Sequence, residues 1–125
     1  MRALEPQRGL RVVADPVALD AARWHGDDVT VLRFAPDDAF ALGAEGVEVD
    51  DPDAIVESEA GFVGTWVPVS SLLAHIEWPL PAERPALAQG SVANVPAKLW
   101  LPAEDGDAFL LTAAAYADDL TSRLR

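Results

Sequence analysis

Apolar and polar positions alternate in two stretches of the chain, each interrupted by a run of turn-forming residues. In the first, Val29-Thr30-Val31-Leu32-Arg33-Phe34 leads into Ala35-Pro36-Asp37-Asp38 and out along Ala39-Phe40-Ala41-Leu42. In the second, Ala97-Lys98-Leu99-Trp100-Leu101 leads through residues 102–107, Pro-Ala-Glu-Asp-Gly-Asp, into Ala108-Phe109-Leu110-Leu111. Proline, aspartate and glycine at those junctions favour tight reversals, so both stretches predict β-hairpins. Alternation also sorts the faces: Leu32 and Phe34 oppose Val29, Val31 and Arg33, while Leu99 and Leu101 oppose Lys98 and Trp100. Apolar residues on both faces predict strands covered by helices on one side and only partly covered on the other, by another segment or another chain. The tripeptide Asp-Ala-Phe recurs at both turn exits, beginning at Asp38 and again at Asp107, 69 residues on. Three matched residues do not decide between a repeated supersecondary unit and two similar hairpins, and the second is the favoured reading.

Helical signals mark three segments. Asp15-Pro16 supplies a cap and a first-turn proline, which predicts a helix through residues 17–25 closed by Gly26. Val69, Leu72, Leu73 and Ile76 form one stripe over residues 69–77, stopped by Pro79. After Thr112, residues Ala113, Tyr116, Ala117, Leu120 and Leu124 recur at helical spacing. Residues 51–61 are ambiguous, since Asp51-Pro52 could open a helix. The β-rich run Phe62-Val63-Gly64-Thr65-Trp66-Val67 that follows favours a strand. Residues 79–85 read as an extended connector. The sum is an α+β fold, a single domain over residues 1–125 with β-hairpins in a mostly antiparallel sheet packed with about three helices. Phe40 and Phe109 are expected to be buried, each closing its hairpin against a helix.

Composition narrows the chemistry. Nine Lys and Arg stand against 21 Asp and Glu, a net charge of −12, and the only lysine is Lys98. Broad phosphate neutralisation needs clustered basic residues, so a nucleic-acid partner is not expected. Absence of cysteine removes disulfides, thiolate metal sites and thiol nucleophiles, and two histidines leave little for a histidine metal centre. No run of about 18 apolar residues occurs, so no membrane-spanning helix is expected. The opening residues lack the apolar core of a signal peptide, and a cytoplasmic location is the expectation.

Of the candidate chemistry, the acidic run Asp50, Asp51, Asp53 lacks the spacing and the terminal glutamate of a calcium loop; a solvated turn is the simpler account. Glu57 and Glu59 would share a strand face, where negative charge also serves to block edge pairing. His25 and His75 each fall in the last turn of an expected helix, where a histidine satisfies terminal carbonyls. Gln89-Gly90-Ser91-Val92-Ala93 lacks the second glycine of a nucleophile elbow. No catalytic residue, metal or cofactor is therefore expected; hydrolase or lyase chemistry from Glu57, Glu59 and His75 stands last among the alternatives. Four tryptophans, Trp24, Trp66, Trp78 and Trp100, are numerous for so short an acidic chain. Trp66 and Trp100, with Lys98 beside Trp100, are the candidates for a partner- or ligand-binding surface, core packing being the alternative.

Four runs carry a family resemblance. They are Leu32-Arg33-Phe34-Ala35-Pro36-Asp37-Asp38, Val69-Ser70-Ser71-Leu72-Leu73-Ala74, residues 89–100 with their Val95-Pro96 and Trp100, and Asp107-Ala108-Phe109-Leu110-Leu111 followed by Tyr116 and Leu120. Together they resemble the gamma subunit of heterotetrameric sarcosine oxidase, which is related to the folate-binding domain of the glycine-cleavage aminomethyltransferase. The likeness implies a folate-binding-like α+β fold and a non-catalytic accessory or self-associating role, with a protein partner or a homo-oligomer. Where the family shows an Asp-x-Ser strand followed by arginine, this chain has Gly64-Thr65-Trp66-Val67-Pro68-Val69, so no folate-contacting residue carries over. A stand-alone domain binding a folate-like small molecule around Trp66 and Trp100 is the alternative.

Overall fold

Strands occupy about half of the chain in the computed structural model, which describes residues 2–104 and 106–125. Their pairing is mostly antiparallel. Among the described residues the α-helices are three and short: α1 (Pro16–Asp20), α2 (Val69–Leu72) and α3 (Ala117–Arg123). The architecture is thus broadly α+β with a mostly antiparallel sheet. No helix among the described residues is long and apolar enough to cross a membrane. By internal contacts the chain divides into two compact units, Gln7–Ala60 and Gly61–Arg125, the latter joined by the opening residues up to Pro6.

The first unit is built on β1 (Glu5–Val13), which runs into α1 and is paired by β4 (Asp38–Leu42); β4 is in turn the second arm of a hairpin with β3 (Thr30–Ala35). Asp15 caps α1, its carboxylate accepting from the amides of Val17 and Ala18 ahead of Pro16 in the first turn. The expected helix through residue 25 stops at Asp20 instead. Arg23–His25 form a strand, β2, paired with β5 (Gly46–Glu48) so that Trp24 faces Val47. Pairing supplies the backbone partners that helical spacing alone could not decide. Leu10, Val12, Leu19, Ala39 and Ala41 make the core of this unit.

In the second unit the residues from Gly61 to Pro68 complete β6 (Ile55–Pro68), the strand expected from its β-rich composition. It pairs with β9 (Asp107–Ala113), β9 with β8 (Val95–Leu101), and β8 with β7 (Ala86–Val92). The β8–β9 hairpin is the one the alternation predicts; Asp105 of its turn lies outside the described residues. The β7–β8 hairpin was not legible, because its loop is Ala93-Asn94 rather than Asn-Gly. Both residues nonetheless take positive φ, 50° and 64°, as a two-residue loop matched to strand twist requires. Helix α2 gives way to a 3₁₀ turn, Leu73–His75, and Ile76 is extended. Leu73 therefore points outward, 56% exposed, while Leu72 alone of the expected stripe is sealed. The last expected helix begins later than Thr112, because β9 runs to Ala113 and a 3₁₀ turn, Ala114–Tyr116, intervenes. Leu120 reaches the core from α3; Tyr116 does not.

Both phenylalanines at the turn exits are buried, Phe40 at 0% and Phe109 at 7% exposure. Both alternate with the residues that pack on the helices, and so lie on the opposite face of their strands from the expected helix contact. Each lies on a glycine of the neighbouring strand. A Cβ on Gly64 would stand 2.8 Å from two carbons of the Phe109 ring, and a Cβ on Gly9 would meet the Phe40 ring and collide with the Ala41 carbonyl. Only a residue without a side chain lets an aromatic ring lie on the strand backbone this closely.

Candidate functional site

Strand pairing in the second unit fixes which side chains share a face. Leu99, Leu101, Ala97, Leu110, Ala108 and Val67 fall on the side covered by α2 and α3, and with Leu72 and Leu120 they form its core. The opposite side carries the residues paired across the strands as Trp66, Phe109, Trp100 and Leu87, followed by Gly64, Leu111, Lys98 and Gln89. Trp66 thus meets Lys98 and Trp100, more than thirty residues further along the sequence, on one sheet face. Trp66 is 44% exposed and meets Phe109 edge-on, ring centroids 5.2 Å apart. Trp100, Leu87 and Lys98 are half-buried.

Why Trp66 stays open follows from the local sequence. Gly64 precedes it on the same face, and the Phe109 ring fills the space that a Gly64 side chain would occupy. The tryptophan then overlies the ring edge rather than entering the core. The other two tryptophans are structural. Trp24 packs on the first unit's core. Trp78 packs on that of the second, lies over Gly90 and donates its indole N–H to the Ser91 carbonyl at 2.9 Å.

Beside the aromatic row, the same face holds a cavity of about 440 Å³, lined by Lys98, Gln89, Phe62, Leu111, Thr112 and Tyr116 among others. Its lining includes Lys98 and neither Trp66 nor Trp100. Lys98 Nζ donates to Gln89 Oε1 at 3.0 Å, and the Thr112 hydroxyl donates to the Pro96 carbonyl at 2.8 Å. Tyr116, Phe62 and Gln89 were missed as site residues. Tyr116 reads as part of a helical stripe, and the alternate positions of β7 gain meaning only once paired with Lys98.

The remaining candidates are engaged elsewhere. His25 lies on β2, not at a helix end, and its Nε2 is 3.1 Å from Glu48 Oε2. His75 closes the 3₁₀ turn, and its carbonyl accepts the Ala93 amide. Glu59 pairs with Arg11 at 3.5 Å while Glu57 is exposed, so the two carboxylates have separate surroundings. In the acidic run, Asp51 accepts from the backbone amides of Asp15 and Asp53, at 2.8 and 2.9 Å. These two bonds hold its carboxyl below the ordinary carboxylate pKa. Asp51 therefore ties its loop to the start of α1. Among the described residues no cluster of three or more acidic or histidine side chains is placed to hold a metal. Set against family models, curated proteins and solved structures, the chain matches none of them.

Proposed function

We propose that the chain is a non-catalytic accessory domain that docks onto a different protein through the aromatic face of its second unit. One observation carries this reading: Trp66 lies 44% exposed against the buried Phe109, with half-buried Trp100 on the same rung, and exposed tryptophan is enriched at interface centres. Charge selects the type of partner. Two copies at −12 each repel one another, whereas a partner with an apolar centre and a basic rim is attracted. The resemblance of residues 32–38, 69–74, 89–100 and 107–120 to the gamma subunit of heterotetrameric sarcosine oxidase points the same way, toward an accessory subunit whose chemistry resides in other chains. A specific contact of this kind buries more than ~1,000 Å² in total.

The test places a photo-crosslinking amino acid at position 66, 100 or 24 in the native host and sizes the complex by light scattering. Expected are one and the same basic partner from positions 66 and 100, in fixed stoichiometry, none from 24, and loss of the complex on Trp66→Ala. A chain that stays monomeric in its host, or one that crosslinks only to copies of itself, overturns the proposal.

A further inference from the structure

The first unit contains its own example of how a cation is held on a rung of this kind. Arg11, opposite the buried Phe40, donates from Nε and Nη2 to the two carboxylate oxygens of Asp38, at 2.6 and 2.7 Å. Its guanidinium also lies 4.7 Å from the centre of the Phe34 ring. Asp38 reaches Arg11 from a diagonal position, since it is paired with Val13, two residues on along β1. The second unit repeats the register and changes one partner. Trp66 stands opposite Phe109 where Arg11 stands opposite Phe40, and Asp107 is paired with Pro68, two residues on along β6. Alternation puts Trp66, Pro68, Phe109 and Asp107 on one face. The carboxylate and an aromatic surface are thus kept, and the arginine is not.

Both groups are open to a visitor. Trp66 is 44% exposed, and Asp107 is exposed. Among the described residues no basic side chain is paired with Asp107. Arg84 lines a cavity together with Asp107, but its Nη1 donates to the carbonyls of Pro81 and Glu83. From this we infer that Trp66 and Asp107 together receive an arginine side chain of the partner, its guanidinium paired with Asp107 and stacked on the indole. For the owner of that arginine the inference rests on the docking reading above. A guanidinium suits the place better than an ammonium. Its planar fork meets a carboxylate in two bonds, as Arg11 does, and its flat face lies on an aromatic ring. Tryptophan is the strongest aromatic partner for a cation. The net charge of −12 favours the approach of a positive group and disfavours an anion.

N-acetylarginine methylamide and its lysine and citrulline counterparts are titrated into the full-length protein, following the Trp66 indole N–H and the Asp107 backbone amide by NMR. The arginine probe is expected to bind with a dissociation constant on the order of 10 mM, since one cation–π contact and one ion pair are its whole attachment. The lysine probe should bind about threefold more weakly. Citrulline, which keeps the shape and loses the charge, should bind about tenfold more weakly. Asp107→Asn should weaken the arginine probe about fivefold, and Trp66→Leu should do the same when read at the Asp107 amide. Equal binding of arginine and citrulline overturns the inference. So does an Asp107→Asn chain that binds arginine as the parent does, and so do shifts confined to the first unit. Should Trp66→Leu not fold, Asp107→Asn decides, because its side chain is exposed. A partner crosslinked at position 66 without any binding of the arginine probe overturns this inference alone. Probe binding by a chain that stays monomeric in its host upholds the guanidinium site and overturns the docking reading alone.

Discussion

On the rung that carries the buried phenylalanine, the first unit sets Arg11 and Leu32 beside Phe40, and the second sets Trp66 and Trp100 beside Phe109. The surroundings match closely. Gly9 faces Leu42 as Gly64 faces Leu111, Val12 faces Ala39 as Val67 faces Ala108, and Val13 faces Asp38 as Pro68 faces Asp107. In each unit a long strand runs into a short helix, and a later hairpin brings its last strand back to pair with the first. Where they differ is the residue opposite the phenylalanine. Arg11 is held by two bonds to Asp38, at 2.6 and 2.7 Å, approaches Glu59, and lies 4.7 Å over the Phe34 ring. Its guanidinium is thereby kept charged, its pKa raised chiefly by the Asp38 hydrogen bond. Trp66 has an aromatic edge for company and solvent on its other side. One scaffold thus yields a rung closed by an ion pair and a rung left open, and the open one is where binding is to be sought.

The largest effects should come from the phenylalanines. Phe40→Ala is expected to cost ~3–5 kcal/mol in denaturant unfolding, with Phe109→Ala toward the lower end because its rung is more open. A loss below about 1 kcal/mol at either would break the equivalence of the two rungs. Smaller and opposite in character are the residues facing them. Arg11→Met should cost about 1 kcal/mol or less, since the pair it breaks is partly solvated. Trp66→Ala should stay within about 0.5 kcal/mol of the parent while abolishing the proposed association. A larger stability loss at Trp66 than at Arg11 would make the open rung structural instead. The smallest effect should appear as a slope. Asp51 has its pKa lowered on folding, so its contribution is complete above the unfolded value and is lost as pH falls through the folded one. Stability measured down the acid limb should therefore fall less steeply with pH in Asp51→Asn than in the parent.

What the sequence disclosed was whatever depends on near neighbours. Period-two alternation located the β3–β4 and β8–β9 hairpins and separated Leu99 and Leu101 from Lys98 and Trp100. Turn chemistry marked their loops, and Asp15-Pro16 marked the start of α1. Pairing between distant segments stayed hidden. Residues 17–25 carry helical signals, but Trp24 is claimed by Val47 of a strand more than twenty residues away. The short repeat at Asp38 and Asp107 did not decide between duplication and coincidence; the matching partners of Gly9 and Gly64 became visible only in the registers. For the same reason Trp66, Trp100 and Lys98 could be named singly, whereas Tyr116 and Gln89 emerged only from the assembled face.

The two rings resting on glycines also endow the molecule with built-in magnetic reporters. A Gly64 α-proton points at the Phe109 ring, and a Gly9 α-proton at that of Phe40. Ring current should displace both from the crowded glycine region of a proton spectrum, giving each unit one resolved signal of its own. Heating or denaturant would then be followed at two places at once without any label. Signals that vanish together would mean one cooperative transition, and signals that vanish in sequence would rank the two units by stability.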